Sequence, residues 1–256
     1  MRICFLGTGT SQGIPVIGCD CPTCTSSNPK DKRWRTSLWM HTDEGNDIII
    51  DVGPDFRQQA LTYQIPKVDA VLITHEHRDH IAGLDDLRPY NFKFNQNIPI
   101  YALPRVCDEI RSAFAYIFNS NYPGIPQLDL HNIQAGQSFQ PLSNQSPFQA
   151  IEVLHGKLPI LGFRKGSFAY LTDTKYLEDA ALQQLQGLEV LVISALHREE
   201  HHSHNTIDEA IAWTQKIGAQ RNYFIHMSHH LEPMAIAEKT IPDNCYFAYD
   251  GLTLEL

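Results

Sequence analysis

The sequence predicts a layered α/β domain, and the order of its apolar segments is the main reason. Short apolar runs at residues 2–7, 36–41 and 46–52 follow one another with loops and turns between them, as in a meander of strands. Later, strand-like runs such as 190–193 alternate with helical segments such as 206–217. Strands that first meander and then alternate with helices favour a layered α/β architecture.

The composition indicates one folded globular domain over residues 1–256. Apolar residues make up 43% of the chain and charged residues 19%, which is typical of a protein with a sizeable core. The net charge of −9 argues against a general polyanion binder, although a phosphate ester could still bind at a local cation. We expect no membrane partner, because no apolar run approaches the ~20 residues of a membrane helix. Residues 1–7 are too short for the apolar part of a signal peptide, so we expect a cytoplasmic location.

The first predicted strand is followed by a glycine-rich segment, GTGTSQG at residues 7–13. A glycine-rich turn after a strand can begin a dinucleotide-binding fold, but that fold needs an amphipathic helix directly afterwards. Pro15 and a cysteine cluster follow instead. We therefore interpret these glycines as positions where the backbone approaches a ligand or another loop closely.

Residues 36–41 and 46–52 predict a hairpin, with its turn at the polar residues between them. The second arm contains three consecutive isoleucines, which indicates a central strand. Pro54 predicts the start of a helix that ends near Tyr63. The apolar run 68–73 predicts the next buried strand.

The middle of the chain predicts a strand at 98–101 and a helix from Pro104 to about Phe118. Residues 119–128 contain two prolines and a glycine, and a loop of this length can form the rim or the lid of a pocket. The remaining predicted elements are strands at 130–133, 148–154, 161–172 (divided into a hairpin at 165–166), 190–193 and 223–225, helices at 176–186, 206–217 and 231–239, and a last hairpin of 245–249 with 252–255.

Segment 74–80, with the sequence THEHRDH, carries the densest group of candidate metal ligands. It directly follows the predicted strand 68–73. His75 and His77 are two residues apart, so in extended backbone they point to the same side. The H-x-H-x-D-H spacing indicates ligands for metal, and a charged surface turn is the structural alternative.

The second half of this segment changes direction. Asp79 is a preferred N-cap residue, and we expect it to cap a helix over 80–84. Asp79 and His80 would then face a different point in space from the two preceding histidines. One short segment could thus serve two adjacent metal ions.

Three further ligand-type residues each follow an apolar strand: His155, Asp173 and His226. Ligands in α/β folds collect at the carboxyl ends of strands. A lone histidine after a strand is more often an ordinary loop residue, but these three complete a set of seven ligands, which suits two ions that share a bridging ligand. A mixed nitrogen and oxygen set suits zinc or manganese, and two such ions can lower the pKa of a bridging water and hold a phosphoryl oxygen.

Three of the six cysteines lie close together near the N-terminus: Cys19, Cys21 and Cys24. The C-x-C-x-x-C spacing in the loop 18–25 is poor for a disulfide framework and good for a zinc ion, which needs a fourth ligand. His229 offers that ligand, and the adjoining His230 is an alternative. Three reduced thiols without metal are the structural alternative, and we interpret the other three cysteines as buried free thiols.

Together these motifs resemble the metallo-β-lactamase superfamily, from residue 2 to the last strand. The resemblance implies an αββα sandwich with metals at the edge between its sheets. It implies two metal sites and one bridging residue: His75, His77 and His155 for the first ion, Asp79, His80 and His226 for the second, and Asp173 for both. Asp51, in the earlier IDVG motif, then supports the site without a metal bond.

Within the superfamily, the cysteine cluster with His229 resembles the extra zinc site of the PhnP-type cyclic phosphodiesterases. Residues 7–15 and 83–89 are similar to that group as well. The resemblance implies a phosphodiesterase with two divalent ions, manganese or zinc, and one structural zinc. Its substrate would be 5-phosphoribosyl 1,2-cyclic phosphate or a 2′,3′-cyclic nucleotide, attacked by a metal-bridging hydroxide.

The resemblance also assigns two residues to catalysis, His204 and Asp79. His204, in the sequence HHSHNT, corresponds to the histidine of that group that contacts phosphate, and it could bind the phosphate or donate a proton to the leaving oxygen. A merely solvated histidine-rich loop is the structural alternative.

Other functions on the same fold compete with this hypothesis. The acidic charge and the lack of a basic arm argue against a tRNA 3′-processing nuclease, and therefore against a nucleic acid polymer as partner. A PqqB-type biosynthetic relative would share the cysteine-rich loop, but the full ligand set favours catalysis. β-Lactamase activity is a weaker option. We expect a small phosphodiester as the partner, and a homodimer is one option for the assembly.

Overall fold

The computed structural model describes residues 1–119 and 123–256, and its strands form two sheets. The strands are β1 (Arg2–Gly7), β2 (Ser37–His41), β3 (Asp47–Ile50), β4 (Ala70–Leu72), β5 (Ile98–Ala102), β6 (Leu128–Asn132), β7 (Ser138–Phe139), β8 (Phe148–His155), β9 (Leu158–Lys165), β10 (Phe168–Leu171), β11 (Val190–Ser194), β12 (Arg221–Ile225), β13 (Cys245–Phe247) and β14 (Thr253–Glu255). The first sheet has the order β14-β1-β2-β3-β4-β5-β6, and the second has the order β13-β12-β11-β10-β9-β8-β7. Both sheets are mixed, with a parallel half and an antiparallel half.

Short helices connect the strands. The α-helices of the described residues are Pro22–Thr25, Phe56–Thr62, Arg78–Ile81, Arg88–Phe94, Pro104–Ala113, Ala115–Phe118, Asp179–Gln184, Ile207–Ile217 and Met234–Ala237, and 3₁₀ turns cover Pro29–Asp31, Leu84–Leu87 and Glu238–Thr240. Within the described ranges, none of these helices combines the length and the apolar character needed to cross a bilayer.

The side chains of β11 show how the layers are built. Val190 and Val192 belong to the core that lies between the two sheets, whereas Leu191 and Ile193 belong to a second core beneath the helix Ile207–Ile217. Successive residues of a strand point to opposite faces, so a run of apolar residues serves both cores. The predicted αββα sandwich is therefore confirmed.

The predicted hairpin of 245–249 with 252–255 is wrong. β13 extends the second sheet by pairing in parallel with β12, whereas β14 pairs antiparallel with β1 in the first sheet. Between them the chain passes from one sheet to the other: the N–H of Ala248 donates to the carbonyl of Phe224 (2.9 Å), and the N–H of Gly251 donates to a carbonyl of β1 (2.8 Å). A strand–turn–strand pattern shows where backbone is extended, but not which sheet each strand joins.

The predicted helix 104–118 is interrupted at Phe114, whose backbone angles (φ −116°, ψ 39°) are not helical. The loop predicted at 119–128 as a rim or lid falls partly outside the described residues, because 120–122 are not among them. The two-residue strand β7 was not predicted, since two residues carry no periodicity.

Candidate metal centre

The predicted ligands meet at one edge of the sandwich, where strands of both sheets end. Segment 74–80 follows β4 of the first sheet. In the second sheet, His155 is the last residue of β8, Asp173 lies just beyond β10, and His226 follows β12. β10, β11 and β12 are parallel, so the residues that follow them share the same edge.

Three of the residues at these strand ends adopt a left-handed backbone conformation. The φ angles are 63° at Asp51, 51° at Asp173 and 62° at His226. This conformation is unfavourable by about 1–2 kcal/mol for a residue with a Cβ atom, and such strain clusters at functional sites. All three residues lie directly after a strand or within two residues of its end, where the chain leaves the sheet.

The first ligand group comprises His75, His77, His155 and Asp173. One nitrogen or oxygen atom of each lies within 4.8 Å of the corresponding atoms of the others. The rings of His75 and His77 are 4.5 Å apart, and His77 and His155 are 5.2 Å apart between centroids. His75 is buried and His77 is exposed, so this group reaches from the core to the surface.

The second ligand group comprises Asp79, His80 and His226. Oδ2 of Asp79 lies 3.2 Å from Nε2 of His80 and 3.8 Å from Nε2 of His226. The predicted capping role of Asp79 is wrong, because the helix Arg78–Ile81 begins two residues earlier than predicted and has His77 as its N-cap. Asp79 therefore lies in the first turn, and its carboxylate is directed at the two histidines.

Asp173 lies between the two groups. Its Oδ1 is 3.1 Å from Nε2 of His226, while its Oδ2 is 3.6 Å from Nε2 of His75 and 3.6 Å from Nε2 of His80. The carboxylate of Asp173 thus faces histidines of both groups, and its role as a bridging ligand stays a prediction.

These residues fit a pair of divalent cations. Nε2 of His75, His80 and His226 is buried and has no hydrogen-bond partner among the described residues. A buried polar atom without a partner is unfavourable, and here three such atoms converge on the same carboxylates. Spacings of 3.1–3.8 Å between ligand atoms are also what a common ion ~2.1 Å from each ligand would produce.

Hydrogen bonds on the far side of the rings hold these nitrogens in position. Asp51 is fully buried and lies 2.7 Å from Nδ1 of His80, and it also accepts from the backbone N–H and the hydroxyl of Thr74. Oγ1 of Thr74 is 3.0 Å from Nδ1 of His75. Nδ1 of His155 lies 2.8 Å from the carbonyl of Ser203. Such contacts fix the ring orientation and leave Nε2 for a metal.

Sequence reasoning identified Asp51 but missed Thr74 and Ser203. Thr74 directly precedes the motif, so its position was a usable signal. Ser203 acts through its backbone carbonyl, which any residue would supply, and no sequence pattern marks it.

The charges of the second group are strongly coupled. Burial lowers the pKa of His80, but the carboxylates of Asp79 and Asp51 outweigh it and raise that pKa well above its usual value. Conversely, burial raises the pKa of Asp79, but the positive charge of His80 and hydrogen bonds from His226 and His80 lower it by more. The pKa is therefore below its usual value, and the carboxyl stays ionised. The carboxylates of this group thus stabilise positive charge between them, and a divalent cation would supply such a charge.

His204 lies over the second group. Its ring stacks on His226 at 4.9 Å between centroids and is 4.6 Å from His155. Its Nδ1 is buried without a hydrogen-bond partner in the described part of the chain, and desolvation lowers the pKa of the imidazole to about 2. His204 therefore presents a neutral ring with one uncommitted nitrogen at the centre.

The cysteine loop forms a second, separate cluster. Sγ of Cys19 is 3.2 Å and Sγ of Cys21 is 3.5 Å from Nδ1 of His229, and the four candidate ligand atoms, with that of Cys24, lie within 4.8 Å of one another. The structure thus places His229, and not His230, beside the thiols. Backbone and side-chain hydrogen bonds around the loop, led by the N–H of Cys24, outweigh desolvation and lower the pKa of the Cys21 thiol to about 6. Cys4, Cys107 and Cys245 are buried free thiols, as predicted.

Comparison with known proteins identifies the family. A model described as the Beta-lactamase superfamily domain matches residues 46–227, which is more than half of the chain. The chain belongs to the metallo-β-lactamase superfamily.

Solved structures place the chain within this superfamily. It is similar to the crystal structure of a new diphosphatase from the PhnP family, with a TM-score of 0.92 and 38% identity over 100% of this chain and 97% of that one. Zn(2+)-bound PqqB from Methylobacterium extorquens (TM-score 0.83, 20% identity, 100% of both chains) shares the fold. Human tRNase Z, short form (TM-score 0.74, 19% identity, 100% and 99%), shares it too. The prediction of a metallo-β-lactamase-fold hydrolase is confirmed at the level of the superfamily.

One curated relative is a longer protein. The chain is 42% identical over 254 residues to a protein named octanoyltransferase from Porphyromonas gingivalis (strain ATCC BAA-308 / W83), and the match covers 98% of this chain and 51% of that protein. The chain spans about half the length of the curated relatives it matches. The relative's name therefore describes a protein of which about half is not matched by this chain.

Proposed function

We propose that the chain is a binuclear metal-dependent phosphodiesterase that hydrolyses small cyclic phosphodiesters, such as 5-phosphoribosyl 1,2-cyclic phosphate or 2′,3′-cyclic nucleotides. Asp173 carries the argument, because its carboxylate faces buried, unpartnered histidine nitrogens of both groups: His75 of the first, and His80 and His226 of the second. The similarity to a PhnP-family diphosphatase supports chemistry at a phosphorus–oxygen bond.

The residues divide the work in this proposal. His75, His77, His155, Asp79, His80, His226 and Asp173 would hold two divalent ions, manganese or zinc. Two bound ions supply a water that is acidic enough to be deprotonated near neutral pH, and they neutralise charge on the phosphoryl group. Asp51 and Thr74 hold the histidine rings so that Nε2 stays directed at the centre. At the other metal cluster, Cys19, Cys21, Cys24 and His229 would hold a structural zinc.

His204 is the residue that contacts the substrate in this proposal. One of its ring nitrogens lies within 4.8 Å of the candidate ligand atoms of Asp173 and His226, and its Nδ1 has no hydrogen-bond partner among the described residues. A phosphoryl oxygen placed there can accept a hydrogen bond from the imidazole, which stabilises the charge that develops as the ester bond breaks. Burial of the ring also excludes water from that side.

The test is turnover of purified protein supplied with Mn²⁺ or Zn²⁺. We expect ring opening of 5-phosphoribosyl 1,2-cyclic phosphate or of a 2′,3′-cyclic nucleotide. His77→Ala should reduce kcat/KM by ~100-fold or more, because it removes a ligand without disturbing the core. His41→Ala is the matched control, since His41 is a partly exposed histidine on β2 that pairs with Asp47. Absence of turnover on every cyclic phosphodiester would reject the proposal.

A diphosphatase is the second candidate. The similarity to a protein of that name extends over the whole chain at 38% identity. A diphosphate-bridged dinucleotide in the same assay separates the two functions, because it yields two monophosphates and no opened ring. Turnover of the diphosphate alone would replace the first proposal with the second.

The remaining alternatives enter the same assay as separate substrates. Cleavage of precursor tRNA would favour the nuclease, and hydrolysis of a β-lactam or of an octanoyl thioester would favour lactamase or acyl chemistry. Zinc found only at the cysteine cluster, with no metal at the histidine centre under any supplement, would favour a PqqB-like role without this catalysis.

A further inference from the structure

A cavity of about 410 Å³ lies beside the N-terminal loop and contains none of the predicted metal ligands. Its walls are residues 12–15, residues 32–35, and the side chains of Asp55, Tyr63 and Asp250. A volume of several hundred Å³ is typical of pockets that bind small molecules. No role proposed above uses this cavity.

The two carboxylates of the cavity already have partners. Asp55 accepts hydrogen bonds from the backbone N–H of Arg35 (2.8 Å) and from its Nη1 (2.9 Å). Asp250 accepts from the hydroxyl of Thr8 (2.7 Å) and from the backbone N–H of Trp34 (2.6 Å). Neither carboxylate has an obvious need for a cationic ligand.

The cationic side chains, in contrast, have donors left over. The guanidinium of Arg33 is almost fully buried, with 3% of the residue exposed, and its Nη2 has no hydrogen-bond partner among the described residues. The hydrogen bonds that Arg35 makes within the described ranges use Nε and Nη1 of its side chain. Among the described residues, the ammonium group of Lys32 makes one hydrogen bond, to the carbonyl of Cys24 (2.9 Å). The unused donors of Lys32 and Arg35 favour an anion in the cavity, whereas Nη2 of Arg33 is enclosed by protein and adds only its positive charge.

Two aromatic rings form the apolar part of the cavity. Trp34 and Tyr63 meet edge to face, with centroids 6.0 Å apart and an interplanar angle of 77°. Both side chains are partly exposed. Aromatic rings beside cationic groups are the combination that binds a planar ring carrying an anionic group.

We propose that this cavity is a binding site for a small anionic molecule with a planar ring, of the class of a nucleoside monophosphate. The ring packs against Trp34 and Tyr63, and the phosphate accepts hydrogen bonds from Lys32 and Arg35. The site is separate from the histidine centre, and it stands whether or not the function proposed above is correct.

The probe is AMP, titrated by calorimetry into the protein as purified, without a chelator, so that the cysteine cluster that Lys32 contacts through Cys24 stays intact. We expect one molecule of AMP to bind per chain. Adenosine, which lacks the phosphate, and inorganic phosphate, which lacks the ring, should each bind at least about tenfold more weakly. The chain as a whole carries a charge of −9, so general attraction of anions does not produce this result.

Two variants locate the binding. Lys32→Met and Trp34→Leu should each weaken AMP binding about tenfold, because each removes a different part of the site. Lys30→Met is the matched control, since Lys30 is a neighbouring surface lysine that pairs with Glu238 outside the cavity. If Trp34→Leu fails to fold, the surface substitution Lys32→Met decides alone.

Three results would overturn the proposal. The first is absence of AMP binding, and the second is unchanged affinity in Lys32→Met. The third is loss of binding in His204→Ala with full binding in Lys32→Met, which would place AMP at the histidine centre.

Discussion

At the scale of single residues, the candidate centre depends on backbone conformations that the sequence does not reveal. Asp51, Asp173 and His226 all have positive φ, although none is glycine. Their residue types were enough to make them candidates for the centre. The left-handed conformation could not be predicted, because tertiary contacts hold it. At Asp51, for example, these contacts are the buried hydrogen bonds from Thr74.

Asp250 leads to a prediction about pH. Burial raises the pKa of its carboxyl to about 7, against ~3.9 in the unfolded chain. Between pH 4 and 7 the folded state therefore binds more protons than the unfolded state, and the free energy of unfolding falls as pH rises through this range. Asp250→Asn removes this loss. The free energy of unfolding of the variant minus that of the wild type should therefore rise by about 1–2 kcal/mol between pH 4.5 and pH 8.

Urea unfolding at several pH values measures this difference. Asp243→Asn, at an exposed carboxylate, serves as the control and should show no such trend. Parallel pH profiles for the wild type and Asp250→Asn would contradict the assigned pKa.

Gly53 leads to a prediction about packing. A Cβ atom at this position would lie 2.0 Å from the carbonyl oxygen of Asp79, so Gly53→Ala must displace the turn that carries this ligand. We expect loss of about 1–3 kcal/mol of stability and a weaker second metal site. Gly45→Asn is the control, because Gly45 (φ +80°) lies in an open turn that asparagine tolerates. Unchanged metal content and unfolding midpoint in Gly53→Ala would show that the turn can shift freely.

At the scale of elements, the cysteine loop is joined to the segment after β12 by more than its thiols. The hydroxyl of Thr23 donates to the carbonyl of Leu231 (2.6 Å), and the buried carboxylate of Asp31 accepts from the N–H of Met234 (2.8 Å). His229 lies in this segment, three residues beyond His226. The predicted zinc site would therefore fix the segment that follows a ligand of the histidine centre.

Cys21→Ser should remove one zinc per chain and lower the melting temperature, while the two ions of the histidine centre remain. The reason is that the two ligand clusters share no residue, and a structural zinc contributes directly to folding. Elemental analysis of metal per chain, beside a thermal melt, measures both effects. Asp20→Asn, in the same loop, is the control. Loss of all metals at once would show that the sites are not independent.

At the scale of the whole molecule, the candidate centre connects the two sheets. Segment 74–80 follows a strand of the first sheet, whereas His155, Asp173 and His226 come from the second. Ions held by all of them would bind only when both sheets are in place. Metal binding and packing of the sandwich are therefore expected to be coupled.

Removal of metal should consequently lower the stability of the whole fold. At a free ion concentration of about 100 times the dissociation constant, each site should raise the free energy of unfolding by roughly 2.7 kcal/mol. Thermal or urea unfolding after EDTA treatment, and again after addition of Mn²⁺ or Zn²⁺, measures this gain. His77→Ala should respond less than the wild type. Identical unfolding curves with and without metal would argue against bound ions at this centre.

The sequence by itself determined the layered fold, the residue types of the candidate centre and their grouping at strand ends. It did so because ligand spacing and apolar periodicity are local properties, readable along the chain. The tertiary structure alone decided which sheet the last strands join, that His229 and not its neighbour His230 faces the cysteines, and that the carbonyl of Ser203 supports His155. It also brought Lys32–Arg35, Tyr63 and Asp250 around one cavity. These features depend on contacts between residues far apart in the sequence, and no local pattern encodes such contacts.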